Sequence, residues 1–255
     1  MLRDFTKEKF DVIIQAGQSN AEGYGFGPVD DPYVPDGRVW YMNENDTISP
    51  AVEKVAFNGI QSNFALSFVR AYVNAGRLAE GRKILILRAA VGGTGFLDNR
   101  WGLNDDLYLH MMEMIRTALA LNPENRLVAL LWHQGETDAI CHATYDLHYS
   151  HLSALLGSVR DTFAVPDLPF IAGDFVPQWK EATAETSRPV SDAIRAVCES
   201  CGHGGFVDTA GLTSNAQDID HHPLGWGNTD TIHFSRRALY ELGQRYFDKL
   251  AEILG

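Results

Sequence analysis

The sequence predicts an α/β fold, a three-layer α/β/α sandwich around a central, mostly parallel sheet. Three observations predict it. Short apolar runs alternate with helix-length periodic segments along the whole chain. The runs are apolar at consecutive positions, which marks strands covered on both faces, and such strands belong to parallel sheets. The loops behind the runs collect Gly, Ser, Asn, Gln, Asp and His, the residue types an open sheet gathers at the carboxyl ends of its strands. At 255 residues and 45% hydrophobic content, one large domain spanning 1–255 is enough to bury such a sheet.

The elements follow in order. Val12 to Ala16 is the first strand-length run, and a helical pattern covers about Ser62 to Leu78. The intervening stretch from Gly23 to Asn58 is rich in Gly, Pro, Asp and Asn; it is too long for a simple connection and reads as a structured excursion bordering the site. Strand runs at Ile84 to Ala90 and Leu127 to Trp132 alternate with helices at about Asp105 to Leu121 and Thr144 to Phe163. A short run at Phe170 to Ala172 precedes a helix at Arg188 to Glu199, patterned through Val190, Ala193, Ile194 and Val197. Phe206 to Val207 is the last strand. The closing helix, about Ser235 to Leu254, carries its stripe on Ala238, Leu239, Leu242, Tyr246 and Leu250. No internal repeat or low-complexity segment interrupts this alternation.

Composition narrows the function. With 33 acidic against 21 basic residues and a formal charge of −12, the chain would repel nucleic acid and anionic lipid surfaces. An anionic substrate is mildly disfavoured unless local arginines such as Arg88 or Arg100 offset the field. No apolar stretch approaches the roughly 20 residues of a membrane helix, and Met1-Leu2-Arg3-Asp4-Phe5-Thr6-Lys7 lacks the apolar core of a signal peptide, so a soluble, cytoplasmic protein is expected. Three cysteines make no disulfide framework. Cys198-Glu199-Ser200-Cys201 has the spacing of a redox or zinc half-site with His203 nearby, but no second pair matches it and it falls at a helix end, so it reads as packing.

Four loops carry chemistry. Gly17-Gln18-Ser19-Asn20 follows the first run, Gly92-Gly93-Thr94-Gly95 the second, and His133-Gln134-Gly135-Glu136-Thr137-Asp138 the third; Asp230-Thr231-Ile232-His233 precedes the last helix. Acyl transfer needs a hydroxyl nucleophile, an imidazole to take its proton, a carboxylate to hold the imidazole, and donors aimed at the developing oxyanion. All four roles are available here. The i, i+3 spacing lets the Asp230 and His233 side chains meet across one helical turn, and glycines at 92 and 93 let the backbone approach a substrate. The G-x-S-x-G elbow of α/β-hydrolases is absent, because Ala21 stands at its last glycine.

On these four motifs, in this order, the chain resembles the SGNH hydrolase superfamily, whose fold is flavodoxin-like, and within it the branch of sialate O-acetylesterases and plant-type carbohydrate acetylesterases. The resemblance covers nearly the whole chain. It implies Ser19 as nucleophile, His233 as base and then acid, Asp230 as the residue orienting it, and oxyanion donors from the N–H of Ser19, the N–H of Gly93 (or Gly92) and the Gln134 side chain. The wider superfamily usually has asparagine where Gln134 stands; glutamine is what the acetylesterase branch looks like. No cofactor or metal is implied, and the expected partner is a small acetylated sugar or oligosaccharide, including O-acetyl sialic acid.

Around these groups, Gln18, Asn20, Gly92, Trp101 and Glu136 are the candidates for the substrate-binding surroundings. Glu136 reads as a support for the nucleophile loop or His133, and Asn20 and Asp138 as groups that fix the loops. Trp101 and Phe96 form either a wall for the acyl group or sugar, or ordinary core. His221 and His222 read as a solvated loop. The same motifs admit a lipase- or thioesterase-like enzyme with a wider apolar pocket, or a carbohydrate-binding protein without turnover.

Overall fold

Strand β1 (Lys9–Gly17) is buried from Phe10 onward and becomes the middle of the sheet. In the computed structural model, which describes residues 4–56, 59–226 and 228–255, a short helix α1 (Ser19–Glu22) follows it directly. The excursion then contributes β2 (Val39–Met42), β3 (Ile48–Pro50) and β4 (Lys54–Ala56), the last pairing with β5 (Gly59–Gln61) in a small separate hairpin. Next come α2 (Phe64–Asn74), β6 (Arg82–Arg88), α3 (Asp106–Leu121), β7 (Arg126–His133), α4 (Glu136–Ile140) and α5 (Tyr145–Thr162). The chain closes with β8 (Phe170–Gly173), α6 (Pro177–Ala182), α7 (Ala184–Ser200), β9 (Gly204–Val207), α8 (Asn215–Asp218) and α9 (Arg236–Leu254). Residues 1–3, part of the chain start considered above, and 57–58, at the end of the excursion, lie outside the described residues.

The seven-stranded sheet runs β3-β2-β6-β1-β7-β8-β9, parallel throughout except for β3 against β2. Adjacent strand residues point to opposite faces. A Cβ at Gly204 would meet Cys198 and Cys201, whereas one at Gly205 would meet Lys249 and Ile253, so α7 and α9 cover opposite faces. Helix α2 packs with α9; α5 packs with α7 and is joined to α3 through the Tyr108 and Ser158 hydroxyls at 2.6 Å. The result is the expected three-layer α/β/α sandwich. No described helix is long and apolar enough to cross a membrane.

The expected strands all form, each within a few residues of its run. The excursion holds the main addition: Val39 to Met42 is a fully buried strand in register with Ile84 to Leu87. Among the excursion's described residues only Tyr24 lines the cavity at the strand ends. Helix α7 starts at Ala184, four residues before the expected Arg188, and carries Pro189 inside it. Side-chain caps start three of the long helices: Asn63 Oδ1 accepts from the N–H of Ala65 and Leu66, Thr144 from Leu147, and Ser235 from Ala238.

Two constraints hold the layers. At the amino end of the sheet the buried Asp11 carboxylate accepts from Arg82 Nε at 2.6 Å, Arg126 Nε at 2.7 Å and Tyr72 Oη at 2.9 Å. Burial works to raise its pKa, but those three partners together hold the carboxyl below its usual range. The second constraint is Gly243 of α9, where a Cβ would lie 2.0 Å from Ser67 Oγ and 2.1 Å from the Phe64 carbonyl oxygen.

The α2–α9 approach therefore depends on a missing side chain. Gly243→Ala should lower stability in urea unfolding by about 3 kcal/mol, the upper part of the range for overpacked cores. Adding Ser67→Ala should recover only part of the loss, because the Phe64 carbonyl cannot be trimmed; full recovery would show that the backbone contact does not limit the packing.

Candidate active site

Strand order reverses at β1: the chain builds β6 on one side of it and β7 on the other. Open α/β sheets form a crevice at such a switch point, outside the carboxyl ends of the strands. The loops there are bonded to one another. Gln18 N–H donates to His133 O at 2.9 Å, and Val91 N–H to Gly17 O at 3.1 Å. Gly17 has φ of 130°, and a Cβ on it would fall 2.1 Å from His133 O, so only glycine allows this approach. The three motifs from the ends of β1, β6 and β7 are thus drawn together around a cavity of about 490 Å³.

Gln18, Ser19, Gly92, Gly93 and His233 all line that cavity. Gln18 anchors its Oε1 on the Thr137 N–H at 3.1 Å. Gly92 N–H donates to Glu22 Oε2 at 2.8 Å, whereas the N–H groups of Ser19 and Gly93 meet no acceptor among the described residues. Gly93 has φ of 71° and open space around it. Of the two glycines, Gly93 is the one with a donor to offer.

Asp230 and His233 meet, though not across a helical turn. They lie in the irregular segment before α9, where His233 N–H points at Asp230 Oδ1 at 3.4 Å and the ring Nδ1 is 2.8 Å from the same oxygen. With Nδ1–H donating to the carboxylate, Nε2 is left as the acceptor. The other oxygen, Oδ2, accepts from Asn215 Nδ2 at 2.8 Å and from His222 Nε2 at 2.9 Å. His222 Nδ1 takes the Leu224 N–H at 3.2 Å, which places its ring proton on Nε2. Burial acts to raise the Asp230 pKa, but the bond from His233, its charge, the Asn215 bond and the nearby His222 hold it below the usual range.

His222 is therefore not on a solvated loop: it is buried and bonded, while His221 is exposed. Its ring stacks at 4.8 Å on Trp226, which also stacks at 5.9 Å on His233; Tyr24 stacks on His233 at 5.2 Å. Sequence reasoning passed over Trp226, Tyr24, Asn215 and Glu22. The available signal was the pair of histidines and a tryptophan within a few residues of Asp230.

Beneath the cavity lies a buried polar layer that does not line it. Asn20 Nδ2 donates to Glu136 Oε1 at 2.7 Å and to Ile232 O at 3.0 Å, while its Oδ1 accepts from Phe234 N–H at 3.0 Å. Asn20 thus ties the turn after β1 to the segment carrying His233. Glu136 and Asn20 are supports here, not parts of the cavity wall. Burial raises the Glu136 pKa, with the Asn20 bond acting against it, and lowers that of His133 to about 4. His133 Nδ1 bonds Tyr246 Oη at 3.0 Å, and Tyr246 Oη donates to Trp132 O at 2.8 Å.

Gln134 also sits in this layer, fully buried. Its Nε2 donates to Asp138 Oδ2 at 2.9 Å and lies 3.3 Å from Thr94 O, and the residue does not line the cavity. Asp138 fixes the glycine turn, accepting at 2.9 Å from the N–H of both Phe96 and Leu97. Trp101 and Phe96 are core: Trp101 is fully buried edge-on against Trp132 at 5.1 Å and donates from Nε1 to Thr94 Oγ1, and Phe96 packs on Trp132 and His148. They bury ring area that a wall residue would expose. Cys198 is buried at the end of α7, which pushes its thiol up. No group of three or more His, Cys, Asp or Glu placed to hold a metal occurs among the described residues.

A model of the family described as carbohydrate esterase, sialic acid-specific acetylesterase, matches residues 9–252. A probable 9-O-acetyl-N-acetylneuraminic acid deacetylase from Escherichia coli is 32% identical over 89 residues, a match spanning 32% of this chain and 27% of that protein. The crystal structure of NanS superposes with a TM-score of 0.82 at 19% identity, covering 97% of this chain and 98% of the other. A protein from Arabidopsis thaliana follows the same fold with a TM-score of 0.70 at 18% identity, over 96% and 98% of the two chains. A carbohydrate acetylesterase from Xanthomonas citri gives 0.57 at 16% identity, over 95% of this chain and 56% of its own.

The buried Glu136 predicts a pH signature. A carboxyl whose folded pKa is raised holds its proton in the native state after the unfolded chain has released it, so stability present below the unfolded value, about 4.5, is lost as pH rises through the folded one. Glu136→Gln removes that loss. In urea unfolding across pH 4.5 to 7, the variant should gain on wild type by up to about 1.4 kcal/mol per pH unit; a constant gap would show that Glu136 titrates normally.

Proposed function

The chain belongs to the carbohydrate esterase family of sialic acid-specific acetylesterases, and on that premise we propose that it hydrolyses O-acetyl groups from carbohydrates through a serine acyl-enzyme. One observation carries the reading: a His233 ring oriented by Asp230 at 2.8 Å shares a cavity wall with Ser19. In this reading Ser19 Oγ attacks the acetyl carbonyl carbon as His233 Nε2 takes its proton. The carbonyl oxygen becomes an oxyanion held by the free N–H groups of Ser19 and Gly93.

Collapse of the tetrahedral intermediate breaks the bond to the sugar oxygen, which leaves with the proton from His233. Water then gives a proton to the same nitrogen, attacks the acetyl-serine, and releases acetate with Ser19 restored. Asp230 stays ionised throughout and keeps the imidazole in one tautomer. Gln134 supports the donor loop from behind, through its contact with Thr94 O. Trp226, 43% exposed at the mouth, offers a face on which a sugar ring can stack. Cavities of this size accept small ligands.

Acetate release should be measured on 4-nitrophenyl acetate and on acetylated sugars, with wild type beside Ser19→Ala. The variant should fold and lose on the order of 10⁶ in kcat, as when a nucleophile is removed from a catalytic triad. Undiminished turnover would exclude Ser19. Along 4-nitrophenyl esters of two to eight carbons, kcat/KM should be highest for acetate; a steady rise with length would point instead to a long-chain acylhydrolase.

A further inference from the structure

Among the described residues lining the cavity wall, Glu22 is the one carboxylate and none is Lys or Arg. Its Oε2 accepts the Gly92 N–H, while Oε1 has no partner among the described residues. Burial pushes its carboxyl up and the charge of Glu44 adds to this, while the Gly92 bond and the charges of Arg88 and Lys54 act against it. The two nearest cations, Arg88 and Lys54, do not line the cavity. Arg88 donates from Nη2 to the Glu22 backbone oxygen at 3.3 Å, and its guanidinium lies 5.0 Å from the centre of the Tyr41 ring. Arg88 and Lys54 face Glu22 across a second, smaller recess of about 20 Å³ that all three line, room for a water but not for a sugar carboxylate. Arg100 is paired with Asp106 at 2.8 Å, away from the cavity.

A carboxylate-bearing sugar entering this site would find an acid beside the nucleophile and no counter-cation on the wall, in a chain of net charge −12. A neutral sugar finds a free acceptor for one hydroxyl. We propose that Glu22 makes the cavity selective for neutral acetylated sugars, accepting a sugar hydroxyl on Oε1 and repelling sugars that carry a carboxylate. The inference rests on the esterase reading of the same site, and narrows it away from the acidic sugar in the family's description.

The test compares two substrates that differ only in charge, O-acetylated N-acetylneuraminic acid and its C1 amide. Each is measured by kcat/KM for acetate release and, in parallel, as an inhibitor of 4-nitrophenyl acetate hydrolysis, so that the pair yields a ratio even without turnover. Wild type should favour the amide by about tenfold or more, the scale of a like-charge contact. Glu22→Gln, which keeps an oxygen for the Gly92 N–H, should bring the ratio toward one, and added salt should shrink it in wild type. Equal or better use of the acid by wild type, an unchanged ratio in Glu22→Gln, or no effect of either sugar would overturn the proposal. Failure of the esterase reading looks different: 4-nitrophenyl acetate would not be hydrolysed, or its hydrolysis would survive Ser19→Ala, and the inference would fall with it. A live, Ser19-dependent signal without charge preference would remove only the role of Glu22.

Discussion

The cavity depends on how closely β1 passes the end of β7 at Gly17. With a Cβ excluded there by His133 O at 2.1 Å, the backbone can bond Gln18 N–H to His133 O and turn at once into α1, which leaves Ser19 facing the crevice between β6 and β7. Any side chain at 17 would push the two strand ends apart. The Ser19 turn would then separate from both the glycine turn at 92–95 and the loop at 133–138. Parallel order makes the crevice available; the close approach at Gly17 determines what stands in it.

Holding several polar loops at a buried strand end creates a second demand, since buried donors and acceptors left unpaired each cost on the order of 1–3 kcal/mol. The layer under the cavity meets much of that demand with side chains. Asp138 satisfies two backbone N–H groups and the Gln134 amide. Asn20 uses both ends of its amide to connect Glu136 with the backbone at Ile232 and Phe234, and so fixes the distance between the first and last motifs in the chain. These supports are what a site needs if its reacting groups are to stay within a fraction of an ångström of their working positions. At the opposite end of the sheet, Asp11 with Arg82 and Arg126 clamps β1 between its neighbours, so the central strand is held at both ends.

Much of this could be read from the chain because strands buried on both faces leave continuous apolar runs, and because the four loop motifs follow those runs directly. What could not be read was set by tertiary contact. Val39 to Met42 is as apolar as any other strand, yet it lies in a segment whose Gly, Pro and Asn content argues for loop; only pairing with β6 makes it sheet. Trp101 has the composition of a ligand wall, and the presence of Trp132 opposite it decides for core. The i, i+3 spacing of Asp230 and His233 was informative although its geometry was not helical, because a turn closed by the carboxylate on the His233 N–H brings the same two side chains together. His222 was misread because a histidine pair before a proline carries no mark of burial; its partner Asp230 is eight residues on, across a loop whose path only the fold reveals.

Asp230 shows how far the arrangement goes beyond a pair. A carboxylate has about four lone-pair directions, and here all are taken: His233 Nδ1 and N–H on one oxygen, His222 Nε2 and Asn215 Nδ2 on the other. A carboxylate so surrounded has no direction left from which to take up a proton, which suits a group that must orient an imidazole without competing for what the imidazole carries. Trp226 links this to binding, since its ring stacks on both His222 and His233 while remaining partly exposed at the cavity mouth. A sugar stacked on its exposed face would bear on the same ring that packs against the imidazole. In the proposed reaction, then, the ring that receives the sugar also packs on the base that Asp230 orients.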